Sequence, residues 1–278
     1  MARSSHEPIS RFELLPLESS EREAARLDEP VRLSVTCSPK HGPDRTIEIA
    51  CALAALGHTV AVHLAARMVR DRAHLDGMLA DLAQAGVDDV LLIGGDASHP
   101  YGPYESAADL LPVLAEHPQR PAEIGIAGYP EGHPKIDEGR LAETLEQKSA
   151  HATYITTQLC FDADTLIGWL RETRARGLEL PVLVGLPGVV DRRKLLEVSM
   201  RIGVGPSLAF VRKQHGLKSL LTRSRSAADH LHDALAPCLG EPGLNLLGFH
   251  FYTFNQLENT WRWEREKRDR VVEEAATT

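Results

Sequence analysis

Short apolar runs in this chain end, repeatedly, on a polar side chain. The instances are Glu13 in RFELLP, Thr36 in VRLSVTCS, His63 in VAVHLA, Asp96 in VLLIGGD, Tyr129 in IGIAGYPEGHP, Gln158 in YITTQLCFD and Tyr252 in GFHFYT. Runs of this length suit short buried strands. Strands that carry their chemistry at the C-terminal end are how a parallel β/α barrel builds an active site. One such ending says little; seven in order constrain the fold strongly.

Eight candidate strands follow from the runs: Arg11–Leu15, Arg32–Thr36, Val60–Leu64, Val90–Ile93, Glu123–Ala127, Tyr154–Gln158, Val182–Val184 and Leu247–Phe251. Most are separated by segments with the helical spacing of apolar residues. In Arg72–Ala85, Leu75, Met78, Leu79 and Leu82 share a face, and Gly86 follows as a stop. Asp164–Arg176 repeats the pattern with Leu166, Ile167 and Leu170 before Gly177. Ser19–Leu27 predicts a short first helix that leaves its side of the barrel thin, and Ser224–Leu239 an extra helix before the last strand. The alternation points to an α/β fold, a single parallel (β/α)8 TIM-type barrel. A doubly wound open sheet is the alternative, and no GxGxxG follows the first strand to support it. The expected organisation is one domain over 1–278, with the core barrel at about 9–255 and a C-terminal helix or tail at 256–278.

Composition narrows the function classes. No apolar run approaches the ~20 residues of a membrane span, and the N-terminus has no signal-like apolar segment, so the expected location is cytoplasmic, with no membrane partner. The formal charge is −8 and no long basic stripe is present, which argues against a nucleic-acid partner. The basic residues of Arg262–Arg270 alternate with Glu264, Glu266 and Asp269, the pattern of a solvated helix. Cys37, Cys51, Cys160 and Cys238 have no metal-ligand spacing, so reduced thiols and no metal are expected. Cys37 and Cys160 stand at strand ends, as small apolar fillers or as pocket lining.

Several pieces recur in one order: Phe12–Glu13, Val35–Thr36, Gly95–Asp96, YPEGHP at Tyr129–Pro134 and Lys148 ahead of the sixth strand. Then come Thr157–Gln158 with Phe161–Asp162, and FHFYTFN at Phe249–Asn255. Carrying these pieces, the chain resembles the methylenetetrahydrofolate reductase family from about Phe12 to about Asn255. YPEGHP and FHFYTFN are the specific motifs.

The resemblance implies reduction of 5,10-methylenetetrahydrofolate to 5-methyltetrahydrofolate, with NADH or NADPH passing hydride to FAD and FAD to the folate. The bridging methylene reacts only after its ring opens to an iminium cation, and opening needs a proton. Glu13 matches the family's acid, and Thr36 the neighbour that hydrogen-bonds it. A first-strand glutamate is otherwise an edge charge, but FELLP is apolar around this one. Asp96 matches a carboxylate facing pterin and flavin; its alternative role is to cap the following helix. Gln158 matches a side chain that pairs with the pterin through amide donor and acceptor. Thr36, His63, Asp96, Tyr129, His133, Lys148 and Tyr252 stand at the family's cofactor contacts.

The chain also departs from the family pattern. Arginines give way to Gly94 and Gln147, an aromatic to Cys37, an asparagine to Thr144 and a tyrosine to Ser106. Two guanidinium contacts to a pyrophosphate are thereby lost. FAD bound in an altered way and direct hydride transfer from the nicotinamide both stay open. A family phenylalanine that stacks on nicotinamide and folate aligns with Lys213, with Phe210 nearby to substitute; Arg212 and Lys213 would otherwise meet a folate tail or phosphate, or face solvent. A non-catalytic or partner-dependent folate-binding subunit is the alternative from another class. The sequence leaves homo-oligomerisation open.

Overall fold

A computed structural model describes residues 8–191 and 224–277. Eight parallel strands close into a barrel in sequence order. They are β1 Ile9–Leu14, β2 Arg32–Val35, β3 Thr59–Ala65, β4 Asp89–Ile93, β5 Glu123–Gly128, β6 Tyr154–Thr157, β7 Val182–Pro187 and β8 Leu246–Tyr252. All eight expected strands form, most with ends within a residue or two of expectation; β7 runs three residues further, through Pro187. The helices are α1 Glu18–Ala24, α2 Gly42–Ala55, α3 Arg72–Gln84, α4 Ala107–Ala115, α5 Glu138–Ser149, α6 Ala163–Ala175, α7 Ser224–Leu235 and α8 Leu257–Thr277.

Strand alternation decides which residues meet helices and which fill the lumen. Phe12, Leu14, Leu33, Val35, Val62 and Leu64 join the main apolar core. The residues between them are Arg11, Glu13, Ser34 and His63, joined by Thr156 and His250 from β6 and β8, all buried. Many barrels fill this space with branched aliphatics; here Leu91 and Leu183 do so on one side, while these polar side chains fill the rest. On its floor the Arg11 guanidinium reaches Tyr154 Oη at 2.7 Å and Asp89 Oδ2 at 2.5 Å, and Tyr154 Oη donates to Asp89 Oδ1 at 2.7 Å. The three side chains come from β1, β6 and β4, so one ionic layer ties the barrel across its width.

Helix ends follow local chemistry. The Asp71 carboxylate accepts from His74 N at 2.8 Å at the start of α3, and Asp162 accepts from Asp164 N and Thr165 N at the start of α6. The expected apolar faces are buried: Leu75, Met78, Leu79 and Leu82 on α3, Leu166 and Leu170 on α6. The segment expected as one helix over Ser224–Leu239 is α7 continued by a 3-10 turn, Ala236–Cys238. Helix α1 is short, and α8 packs beside it against β1 and β8, with Trp263 edge-on to Phe251 at 5.6 Å. The Arg262–Arg270 stretch is therefore amphipathic and not simply solvated. Arg262 pairs outward with Glu258 at 2.6 Å, whereas Lys267 is buried against Asp229 and Asp233 of α7. All four cysteines are free thiols, and Cys37 packs with Ala65, Met68 and Ala97. Among the described residues no helix is long and apolar enough to cross a membrane.

Candidate active site

Glu13 is the residue around which the barrel mouth is organised. It is 7% exposed at the C-terminal end of β1, and burial raises its carboxyl to about 7, opposed by the nearby His63. His63 Nε2 lies 3.9 Å from Glu13 Oε2, and His250 Nε2 lies 3.2 Å from the same oxygen. Burial holds both imidazoles neutral, His63 at about 4 and His250 at about 3, with Arg11 below adding to the effect on each. A carboxyl kept near neutrality between two uncharged rings has the chemistry to donate a proton.

The second half of the FHFYTFN motif fixes the strand that carries this acid. Thr253 Oγ1 donates to the Glu13 carbonyl. Asn255 Oδ1 accepts from Leu15 N at 2.7 Å, and its Nδ2 donates to Ser20 Oγ at 2.7 Å. Asn255 adopts φ 62°, a left-handed conformation that asparagine tolerates well.

Thr36 requires a correction. Its backbone N–H donates to Leu14 O at 2.9 Å, which places it beside β1, but its buried hydroxyl has no hydrogen-bond partner. The expected Thr36–Glu13 bond is not formed; the Glu13 carboxyl instead meets His250 on the β8 side of the barrel.

Tyr252 is the β8 neighbour of Glu13 in the strand register, and Tyr129 and Gln158 stand just past the ends of β5 and β6. Gln158 Oε1 accepts from Leu159 N at 2.8 Å, which leaves one oxygen lone pair and the amide donors for a ligand. Tyr252 Oη donates to Thr157 O at 3.1 Å, and its ring lies over Gly185, where a Cβ would come within 2.8 Å of it. Burial raises the Tyr252 hydroxyl far above its ordinary range, with Glu13 and Tyr129 adding to the shift. Tyr129 and His133 stack edge to face at 5.2 Å, and Asp96 acts electrostatically on both.

Asp96 is exposed on the loop after β4, and the capping role does not hold: α4 starts at Ala107, capped by Ser106 in a box with Asp109. Gly95 before it has φ 88°, and a Cβ there would fall 2.7 Å from Ala65 Cβ, so the Gly-Asp pair lets the chain cross closely over β3. The loop is held by a residue the sequence did not single out. Arg67 donates from Nε to Ala97 O at 2.9 Å, from Nη2 to Ser98 O at 3.1 Å and from Nη1 to Glu105 O at 3.0 Å.

Lys148, in the last turn of α5, is buried with Nζ 3.3 Å from Ala127 O, and burial lowers it to about 8. Among the described residues no carboxylate pairs with it. It lines a cavity of about 490 Å³ that also touches Tyr129 and Trp169. Three of the departures noted above, Gly94, Ser106 and Thr144, line the same cavity. Its other lining cation, Arg176, is bonded to Glu146 at 3.2 Å and lies 3.5 Å from Glu172. Glu138 and Glu172 add negative charge to the wall. Among the described residues a dinucleotide pyrophosphate would find one uncommitted cation here, so these residues fit a tightly held flavin dinucleotide poorly at that point. Phe210, Arg212 and Lys213 lie outside the described residues.

The sequence model of the family described as methylenetetrahydrofolate reductase matches residues 17–262. Methylenetetrahydrofolate reductase 2 of Saccharomyces cerevisiae is 28% identical over 149 residues, covering 50% of this chain and 25% of that protein. Methylenetetrahydrofolate reductase 1 of Schizosaccharomyces pombe is 31% identical over 120 residues, covering 40% and 20%. The chain thus matches a quarter or less of the length of these relatives. Among solved structures, an uncharacterized protein from Clostridium thermocellum that binds two copies of 5-methyl-5,6,7,8-tetrahydrofolic acid superposes with a TM-score of 0.67 at 14% identity, covering 95% of this chain and 96% of that one. At that identity the likeness shows a shared fold.

Proposed function

The chain belongs to the methylenetetrahydrofolate reductase family, and on that footing we propose that it reduces 5,10-methylenetetrahydrofolate to 5-methyltetrahydrofolate with Glu13 as the acid. The observation that carries the reading is the buried carboxyl, raised to about 7, at the end of β1. Glu13 protonates the amine nitrogen that closes the five-membered ring, the carbon–nitrogen bond breaks, and the remaining nitrogen and methylene form an iminium cation. Hydride addition to that carbon gives the methyl group. The ionised Glu13 left behind, and Asp96 at the rim, oppose the new positive charge, and the neutral His63 and His250 add none of their own. Gln158 offers its amide donors to the pterin. The Clostridium protein shows that a barrel of this shape accommodates a reduced folate.

The charge-poor cavity beside Lys148 favours a second reading for the hydride route. A resident flavin needs tight binding, whereas a nicotinamide that comes and goes does not, so direct transfer from NADH or NADPH to the iminium carbon suits these residues better than transfer through FAD.

Two measurements test the proposal. Glu13→Gln, which keeps the size but not the proton, is expected to lower folate-dependent nicotinamide oxidation about 10²-fold or more. Near-normal turnover would remove Glu13 from the role. The absorbance spectrum of the purified wild type reads the hydride route. A colourless protein that turns over without added FAD supports direct transfer; a yellow one that loses activity with its colour restores the flavin. Folate binding with no oxidation of either nicotinamide, with or without FAD, would make the chain a binding subunit instead.

A further inference from the structure

His250 is fully buried beside the acid. It lies on β8 opposite Arg11 of β1, with none of its surface exposed. Its ring packs edge-on against Tyr252 at 5.1 Å and lies roughly parallel to His63 at 6.1 Å. Nε2 faces Glu13 Oε2 at 3.2 Å, while Nδ1 is buried without a hydrogen-bond partner.

A neutral imidazole carries one N–H. On Nδ1 that hydrogen would be a buried donor with no acceptor. On Nε2 it meets a carboxyl oxygen and leaves only an unfilled lone pair at Nδ1, which is the cheaper defect. The Nε2–H form is therefore the one this packing selects.

We propose that His250 is the positioning residue of the acid: by donating from Nε2 to Glu13 Oε2, it leaves Oε1 as the oxygen that carries the transferable proton. The proposal rests on Glu13 being the proton donor. It also gives the conjugate base a partner, since the same N–H becomes a charge-assisted donor once the proton has left. The groups around the carboxyl are His63 from β3, Ser34 and Thr36 on the β2 side (the Ser34 hydroxyl also unpartnered), His250 and Tyr252 from β8, and Arg11 below on β1. His63 Nε2 and the Thr36 hydroxyl make no hydrogen bond, and Tyr252 Oη is committed to Thr157 O. Among the described residues His250 alone is within hydrogen-bond reach of the carboxyl oxygens.

The test compares His250→Gln, whose amide nitrogen takes about the place of Nε2 and keeps a donor, with His250→Met, which fills similar volume without one. In the full chain free of substrate, the carboxylic C=O infrared band that disappears in Glu13→Gln reports the titration of Glu13. Its midpoint is expected to rise by about one pH unit in His250→Met and by less than half of that in His250→Gln, because only the first loses a hydrogen bond to the charged form. With substrate, kcat should fall about tenfold in His250→Met at nearly unchanged folate KM, and the basic limb of the pH–rate profile should follow the infrared midpoint. If His250→Met does not fold, His250→Asn, whose amide falls short of Oε2, takes its place. Equal midpoints in the folded wild type and the donor-less variant overturn the proposal. So does wild-type activity that a chelator abolishes and zinc restores, since Glu13, His63 and His250 would then act as ligands. An infrared shift in a protein without reductase activity supports the proton placement and removes the reductase reading alone.

Discussion

Glu13 costs the fold stability wherever it is ionised. Its carboxyl sits at about 7 in the folded barrel against an ordinary 4.5. The contribution of the protonated group to stability is therefore complete below about pH 4.5 and is lost as pH rises through about 7. Glu13→Gln removes the penalty, so at pH 8 it should stabilise the protein by about 3 kcal/mol, read by urea titration, while it destroys turnover. The wild-type enzyme should likewise lose kcat/KM above about pH 7 as the acid form disappears. His63 and His250 act in the opposite sense. Their depressed values make the stabilisation complete above their ordinary 6.5 and lost as pH falls toward about 4 and about 3. The lumen is thus acid-labile through its histidines and base-sensitive through its glutamate.

At the scale of elements, the site depends on two clamps that touch backbone. Thr253 and Asn255, just past β8, fix the end of β1, so the acid's position is set by the last strand. Arg67, in the 3-10 turn after β3, fixes the loop that carries Asp96 through three carbonyls. Arg67→Ala removes donors worth about 1.5–3 kcal/mol each to a charged group, yet it leaves the carbonyls close to solvent, where water replaces much of that value. On the proposed reading, in which the loop positions a binding carboxylate and not the proton donor, the expected result is a folate KM raised about tenfold with kcat changed less than about threefold. An equal fall in kcat at constant KM would place Arg67 in the chemical step and refute the positioning role.

For the whole molecule, the polar lumen replaces part of the apolar filling with an ionic floor. The Arg11 guanidinium, Asp89 and Tyr154 satisfy one another across three strands, which makes the layer sensitive to losing any member. Arg11→Met leaves Asp89 buried without its cation and should cost about 3–5 kcal/mol, measured as a shift in the urea midpoint. Replacing Arg11 and Asp89 together with apolar residues should recover much of that loss, because the remaining penalty is the unpaired charge and not the missing bond. Arg11 also bears on the acid's surroundings, as its charge helps keep His250 and His63 neutral. The single variant should therefore raise the pH at which the histidines charge.

Much of this was legible along the chain because it is local. Short apolar runs and the helical spacing of Arg72–Ala85 and Asp164–Arg176 each depend on neighbours a few residues away, and all eight strands follow from the runs. Since every parallel strand ends on the same face of a closed barrel, the polar residues Glu13, Thr36, His63, Asp96, Tyr129, Gln158 and Tyr252 could be placed at one mouth from order alone. What the sequence could not show are the contacts that closure creates. His250 was hidden inside a recognised motif, because its value lies in meeting Glu13, 237 positions away, across the β8–β1 seam. The same seam gives Glu13 its side-chain partner, His250, in place of the expected Thr36. Arg67 left no trace because its partners are carbonyl oxygens, which every residue carries, so no side-chain pattern marks them. Only the three-dimensional register decides which of many identical backbone groups, and which of several nearby polar side chains, a given residue will meet.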